Sequence, residues 1–247
     1  RSSFSLMAGA VTATPGRLHE DVETLLRLGG PDSDSADTLE RLADAVDARP
    51  NATPAPWTRP AAPTGDRFNA FTVGQSLAAH LPEGALVSDD AVTSGLPVYQ
   101  AMAHAAPHEW LGHTGGAIGQ GMPVAVGAAV GAPDRKVVCL AGDGAGMYTV
   151  QALWTMAREN LDVLTIVFVN HAYRILKIEL QRTGAGEPGP AARDMLSLDR
   201  PAIDWVKLAE GMGVEAESAG DAATFNAALQ RALASRGPRL IAAVLQS

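Results

Sequence analysis

Asp143 and Asn170 are the two side chains whose types and surroundings point most directly to chemistry. Asp143 lies in Gly142-Asp143-Gly144, directly after the apolar run Lys136 to Ala141 (KVVCLA), and Asn170 ends a second apolar run, Val163 to Val169 (VLTIVFV). One carboxylate and one amide oxygen, completed by backbone carbonyls and water, suit a hard cation such as Mg²⁺. The flanking glycines let the backbone turn sharply and come close to a ligand. A helix starting near Gly146 would aim free N–H groups and its positive end at the same crevice, which favours phosphate. A metal with one carboxylate ligand fills its shell with phosphate oxygens, so the set predicts a Mg²⁺–diphosphate ligand. Taken alone, Gly-Asp-Gly is also a common turn and Asn170 a strand-end cap.

Such side chains need a frame. KVVCLA and VLTIVFV read as buried strands, and between them Met147, Val150, Leu153 or Trp154, and Ala157 recur at helical spacing, which predicts a helix over Gly146–Glu159. Strand, glycine turn, helix, strand is one βαβ unit with its ligand end at the strand C-termini. Before it, the pattern predicts a helix over Thr72–Leu81, a strand over Ala85–Ser88, a helix over Ser94–Ala106, a strand over Glu109–Leu111 and a Gly/Ala-rich helix over Gly116–Val130. After it come a helix over 173–182, a Gly/Pro-rich loop over 183–190, a helix over 202–211, a strand over Val214–Ala216, a helix over 221–235 and a strand over Leu240–Leu245. Strands alternating with helices predict an α/β fold, a doubly wound parallel sheet of about six strands.

Residues 1–49 read as a separate small region. Val22–Leu28 fits either a strand or the end of a helix, and Ala36–Ala48 is amphipathic, with Leu39, Leu42, Ala43 and Val46 on one face. Pro50, Pro54, Pro56, Pro60 and Pro63 make 50–67 a stiff linker, so the main domain spans 68–247. A net charge of −8 and a pI near 5.2, without a basic run, argue against a nucleic-acid partner. An anionic ligand in an acidic chain must then be held by metal and backbone amides. Cys139, the one cysteine, lies inside an apolar strand and reads as a packed small hydrophobe. No apolar stretch has membrane-spanning length and residues 1–10 lack a signal-peptide core, so a cytoplasmic location is expected. No G-x-G-x-x-G opens a helix with an acid about twenty positions on, which makes a nicotinamide-binding Rossmann site a poorer reading.

The spacing from Gly142-Asp143-Gly144 to Asn170 resembles the cofactor-binding signature of thiamine-diphosphate enzymes, in which GDG is followed after some twenty-five residues by an Asn-Asn pair. The first asparagine is replaced here by Val169, which spares the ligand itself. ALWTMARENLDV further resembles the branch containing acetolactate synthase and benzoylformate decarboxylase. The resemblance implies that Asp143, Asn170 and the backbone carbonyl of Ala172 hold Mg²⁺ on the diphosphate, with Gly142, Gly144, Ala145, Tyr173 and Ile175 around the cofactor. Ile118, twenty-five positions before Asp143, falls where the family places a bulky residue between the two cofactor rings. The Gly116 carbonyl falls where the 4′-amino group is accepted. Thr93 and Ser94 are placed to cap a helix, and Ser88 to Ser94 (SDDAVTS) resembles a diphosphate-binding strand end, which implies that their hydroxyls also bind phosphate. Asp89 and Asp90 read as solvated loop acids.

Tyr173 to Glu179 (YRILKIE) is expected over the thiazolium, with Ile175, Leu176 and Glu179 as candidates to line the substrate pocket. Leu176 stands where pyruvate decarboxylases carry a glutamate. His113 and His171 fall near the site and read as structural. The glutamate that activates the pyrimidine ring comes, in this family, from an N-terminal domain of a neighbouring subunit. His19-Glu20 does not match its surroundings, so Glu20 reads as a surface acid. The resemblance thus implies decarboxylation and carboligation of 2-oxo acids of the acetolactate synthase kind, dependent on thiamine diphosphate and Mg²⁺. It also implies a pyrimidine-binding domain from another subunit or chain, and a homodimer or homotetramer. The alternatives are a benzoylformate decarboxylase-like enzyme and a split, non-catalytic cofactor-binding subunit.

Overall fold

In the computed structural model the chain divides into two units, Arg1–Ala55 and Pro56–Ser247. The structure describes residues 32, 34–47, 58–65, 67–184 and 186–246. In the first unit, α1 (Ser35–Ala45) is capped by Asp34, whose Oδ1 accepts from the amides of Ala36 and Asp37 at 2.8 and 3.2 Å. Glu20, His19, the segment Val22–Leu28 and residues 50–57 of the proline-rich linker lie outside the described residues.

The second unit runs α2 (Ala70–His80), β1 (Leu86–Asp90), a 3₁₀ turn (Val92–Ser94), α3 (Gly95–Ala101), a second 3₁₀ turn (Met102–His104), β2 (Glu109–Leu111), α4 (Gly121–Gly131) and β3 (Val137–Gly142). It continues through α5 (Asp143–Gly146), α6 (Ala152–Arg158), β4 (Val163–Val169), α7 (Arg174–Arg182), α8 (Pro190–Met195), α9 (Trp205–Gly211), β5 (Glu215–Ala219), α10 (Ala222–Ala234) and β6 (Arg239–Val244). The strands form one six-stranded sheet in the order β2-β1-β3-β4-β6-β5, with each neighbouring pair parallel. The chain moves outward from β1 to β2, then returns to lay β3 on the other side of β1. The order therefore reverses between β1 and β3, and a ligand crevice opens at their carboxyl ends.

Helices cover both faces, which is why the central strands are apolar throughout rather than alternating. Leu164, Ile166 and Phe168 of β4 pack with Val87, Leu140, Phe68, Leu77, Val98, Phe225 and Leu229 on one side. Val163, Val167 and Val169 face the other way, against Cys139, Met122, Leu153, Met156 and Trp205. The β3–β4 register sets Gly142 opposite Phe168, so Asp143 and Asn170 leave the sheet at the same edge.

Local boundaries differ from the sequence pattern where non-local partners intervene. The helix expected over Gly146–Glu159 is two, α5 and α6, because the intervening turn spends the Thr149 hydroxyl on the Gly119 carbonyl at 2.6 Å. Leu153 and Met156 are buried, whereas Met147 and Trp154 of the expected stripe are exposed. The helix expected from Gly116 starts at Gly121, since Gly115, Gly116 and Gly119 carry φ of +65°, +70° and +94°, values that no helix residue adopts. α8, unforeseen in the sequence, begins with Pro190 at its first turn.

Candidate functional site

Asp143 leads out of β3 and is buried to 3% exposure. Its Oδ2 accepts from the amides of Asn170 and His171 at 3.0 and 2.7 Å, and its Oδ1 from Gly144 at 3.0 Å. Burial holds its carboxyl above the usual carboxylate range, and the amides of His171, Asn170 and Gly144 pull the other way. These bonds leave lone pairs on both oxygens, since a carboxylate offers about four acceptor positions. Asn170 turns its Oδ1 onto the Ala172 amide at 3.0 Å, and the Ala172 carbonyl accepts from the Arg174 amide at 2.8 Å. Each retains an acceptor position as well. To make this turn, His171 adopts φ +56°.

A cleft of about 170 Å³ gathers Thr93, Ile118, Gly142, Asp143, Gly144, Ala145, Asn170, Ala172, Tyr173 and Ile175, together with Leu176. Two residues expected at the cofactor are not on its wall. Ser94 is buried without a capping bond, and Gly116 is exposed in the preceding loop. Glu179, a candidate for the substrate pocket, instead pairs with Arg182 at 2.7 Å on the outer side of α7. A Cβ on Gly144 would stand 2.7 Å from the Tyr173 ring, so the ring lies directly on that backbone and only glycine fits. The helix expected to aim a dipole at the crevice is a single turn, α5, whose Gly144 amide already donates to Asp143, so it offers no long aligned dipole.

The cleft also takes in Ala91, Val92, Tyr148 and Arg174, which the sequence had not singled out. Val92 adopts φ +51°, a costly conformation for a β-branched residue. Nothing local in the sequence marks it.

The two acids expected to be solvated in a loop are strand residues. Asp90 is 1% exposed; its Oδ1 contacts His113 Nε2, and its Oδ2 accepts from the amides of Gly119 and Gly121 at 2.9 and 3.1 Å. Asp89 is half-buried, and burial pushes its carboxyl up against opposing bonds from the Ala91 amide and the Trp110 side chain. A carboxyl raised on folding favours the folded state below its unfolded pKa and loses that contribution as pH rises through the folded one. Asp89→Asn keeps the acceptor for Ala91 and removes the titration. Its melting temperature is therefore expected to match or exceed wild type at pH 7, with the difference moving against the variant near pH 3.5; thermal melts at both values check this.

A cation at the cleft finds oxygen donors alone: a carboxylate, a side-chain amide and a backbone carbonyl. Among the described residues no cluster of three His, Cys, Asp or Glu exists that would hold a metal unaided. A hard cation bound there completes its shell with ligand oxygens. The arrangement suits a metal–diphosphate group.

Comparison with known proteins agrees with a diphosphate ligand. Residues 90–243 match the family described as "Thiamine pyrophosphate enzyme, C-terminal TPP binding domain". The chain is 50% identical over 228 residues to an acetolactate synthase large-subunit-like protein, IlvX, of Mycobacterium tuberculosis H37Rv, covering 92% of this chain and 43% of that protein. It is 32% identical over 212 residues to benzoylformate decarboxylase of Pseudomonas aeruginosa, covering 84% and 38%. Among solved structures, the thiamine diphosphate-dependent 4-hydroxybenzoylformate decarboxylase of Rhodococcus jostii RHA1 superposes with a TM-score of 0.71 at 29% identity, over 85% of this chain and 39% of that one. The chain thus spans about two fifths of the length of these relatives. From the switch-point cleft to the matched sequence, this chain belongs to the thiamine pyrophosphate enzyme family and carries its C-terminal TPP-binding domain.

Proposed function

We propose that the chain binds thiamine diphosphate with Mg²⁺ and supplies the diphosphate half of an active site for 2-oxo acid decarboxylation and carboligation of the acetolactate synthase kind. The observation that carries this reading is the oxygen set of Asp143, Asn170 and Ala172 on one cleft at the strand-order reversal. Those three would hold the metal. Thr93 and the backbone from Gly142 to Ala145 would hold the diphosphate, and Tyr173 and Ile175 would flank the rings. Ile118 would stand between the rings, and the Gly116 carbonyl would accept from the pyrimidine amino group. Bound there, the cofactor supplies an electron sink for the carbanion left when a 2-oxo acid loses CO₂. The apolar side chains of Ile118, Val92 and Leu176 on the cleft leave a substrate carboxylate poorly solvated, which favours its loss.

Among the described residues that line the cleft, Asp143 is the single carboxylate, and it is committed to three amides and, in this reading, to the metal. The cleft is also smaller than the roughly 300–1,000 Å³ of a complete small-molecule site. Both features support a second half that brings the ring-activating acid: a pyrimidine-binding domain of another subunit or chain, within a homodimer or homotetramer. The second reading is a benzoylformate decarboxylase-like enzyme, favoured by the 32% identity to that Pseudomonas aeruginosa protein. With Mg²⁺, thiamine diphosphate and pyruvate, the chain by itself is expected to release no CO₂ above the cofactor blank. Once a pyrimidine-binding domain is supplied, a ligated 2-hydroxy-2-methyl-3-oxo acid supports the first reading and benzaldehyde from phenylglyoxylate the second. Turnover by the chain alone contradicts the need for a second half.

A further inference from the structure

Ile118 is large, apolar and 42% exposed, on a loop with little backbone bonding of its own. Residues 114–118 are all exposed, and two backbone hydrogen bonds inside the loop, Ala117 to Thr114 and Gln120 to Ala117, are long at 3.4 Å each. Yet the segment just after Ile118 is held by four hydrogen bonds from three side chains. The Gly119 amide donates to Asp90 Oδ2 at 2.9 Å, and the Gly119 carbonyl accepts from Thr149 Oγ1 at 2.6 Å. The Gly121 amide donates to the same Asp90 oxygen at 3.1 Å, and the Gly121 carbonyl accepts from Ser88 Oγ at 2.8 Å. His113, at the other end of the loop, contacts the second oxygen of Asp90. A Cβ on Gly121 would lie 2.4 Å from the Asp90 Cβ, and one on Gly119 would lie 2.6 Å from the Tyr148 Cβ, so both glycines are needed for this close approach.

We infer that Asp90, Ser88 and Thr149 are positioning residues that mount Ile118 at a fixed height over the cleft. The inference rests on the cofactor reading above. Asp90 and Ser88 come from β1, and Thr149 from the turn after α5, so the mount ties the loop to β1 and to the turn that follows β3 and α5. A satisfied buried carboxylate of this kind makes a stiff anchor, because any shift of the loop strands its oxygens. Fixing Ile118 in advance removes the ordering cost that a ligand would otherwise meet on binding. The clamp therefore serves the ring portion of the cofactor and not its diphosphate.

That division gives the test. Affinities for Mg²⁺–thiamine diphosphate and for Mg²⁺–pyrophosphate are measured on wild type, Thr149→Val and Asp90→Asn. In each folded variant, thiamine diphosphate is expected to weaken roughly five- to tenfold, the scale of one lost hydrogen bond, while pyrophosphate stays within about twofold. An unchanged ratio in folded Thr149→Val overturns the inference. So does a wild-type chain that holds thiamine diphosphate no tighter than pyrophosphate. A readout independent of any ligand is amide hydrogen exchange of the free wild-type chain. Gly119 and Gly121 are expected to exchange at least about tenfold more slowly than Gly115 and Gly116, and equal rates overturn the clamp even if neither ligand binds. A chain with slow exchange at Gly119 and Gly121 that binds neither ligand retains the clamp and loses the cofactor reading.

Discussion

Asp143→Ala is expected to abolish Mg²⁺-dependent binding of thiamine diphosphate, lowering affinity by about a hundredfold or more. Residues one step removed from a metal already cost tenfold to a hundredfold when lost, and Asp143 is proposed to touch it. The substitution also strips the acceptor from three amides, those of Gly144, Asn170 and His171. Each buried amide left unpaired costs about 1–3 kcal/mol. Relief from burying a charge offsets part of this, because burial is what pushes the Asp143 carboxyl up. Asp143→Asn separates the two effects: it keeps an acceptor oxygen for the amides and removes the charge from the metal. Calorimetric titration beside a thermal melt checks the pair. A folded Asp143→Asn chain with unaltered Mg²⁺ dependence contradicts the metal assignment.

Phe168→Ala is expected to bring the largest loss of stability. Phe168 is fully buried in the central strand β4, opposite Gly142 across the sheet and two residues before Asn170. It packs in the cluster formed by Phe68, Phe225, Leu140 and Ile166. Truncating a buried phenylalanine costs about 3–5 kcal/mol, through lost transfer energy and the cavity left behind. For a domain of this size that is a fall of about 6–20 °C in melting temperature, out of a typical total of roughly 5–15 kcal/mol. Below its transition the variant is expected to retain cofactor binding, because its cavity lies in the core rather than on the cleft. A loss below about 1 kcal/mol would mean that β4 is not the central strand of the sheet.

The βαβ frame was legible because its signals are local. KVVCLA and VLTIVFV are buried on both faces, and Gly142-Asp143-Gly144 marks the turn between β3 and α5, so strand type, direction and ligand edge followed from neighbouring residues. The twenty-eight positions from Gly142 to Asn170 then brought the family resemblance. What stayed hidden depends on partners far away in the chain. Asp89 and Asp90 look like a solvated pair, but alternation along β1 turns them to opposite sides. There Asp89 meets Trp110, and Asp90 meets His113, Gly119 and Gly121. The late start of α4 has the same origin, since Gly119, just before it, is drawn into the Asp90 clamp at φ +94° and cannot be helical. The break between α5 and α6 reflects Thr149 bonding thirty residues back to Gly119. Val92 and Tyr148 reached the cleft through turn geometry that no periodicity records.

Calorimetric titration of thiamine diphosphate into the wild-type chain, with and without Mg²⁺, examines whether Asp143, Asn170 and Ala172 form a Mg²⁺–diphosphate site. Binding is expected to appear with Mg²⁺, to disappear on chelation, and to be matched in its metal dependence by inorganic pyrophosphate. Binding of equal strength in the absence of Mg²⁺, or none under either condition, would contradict it.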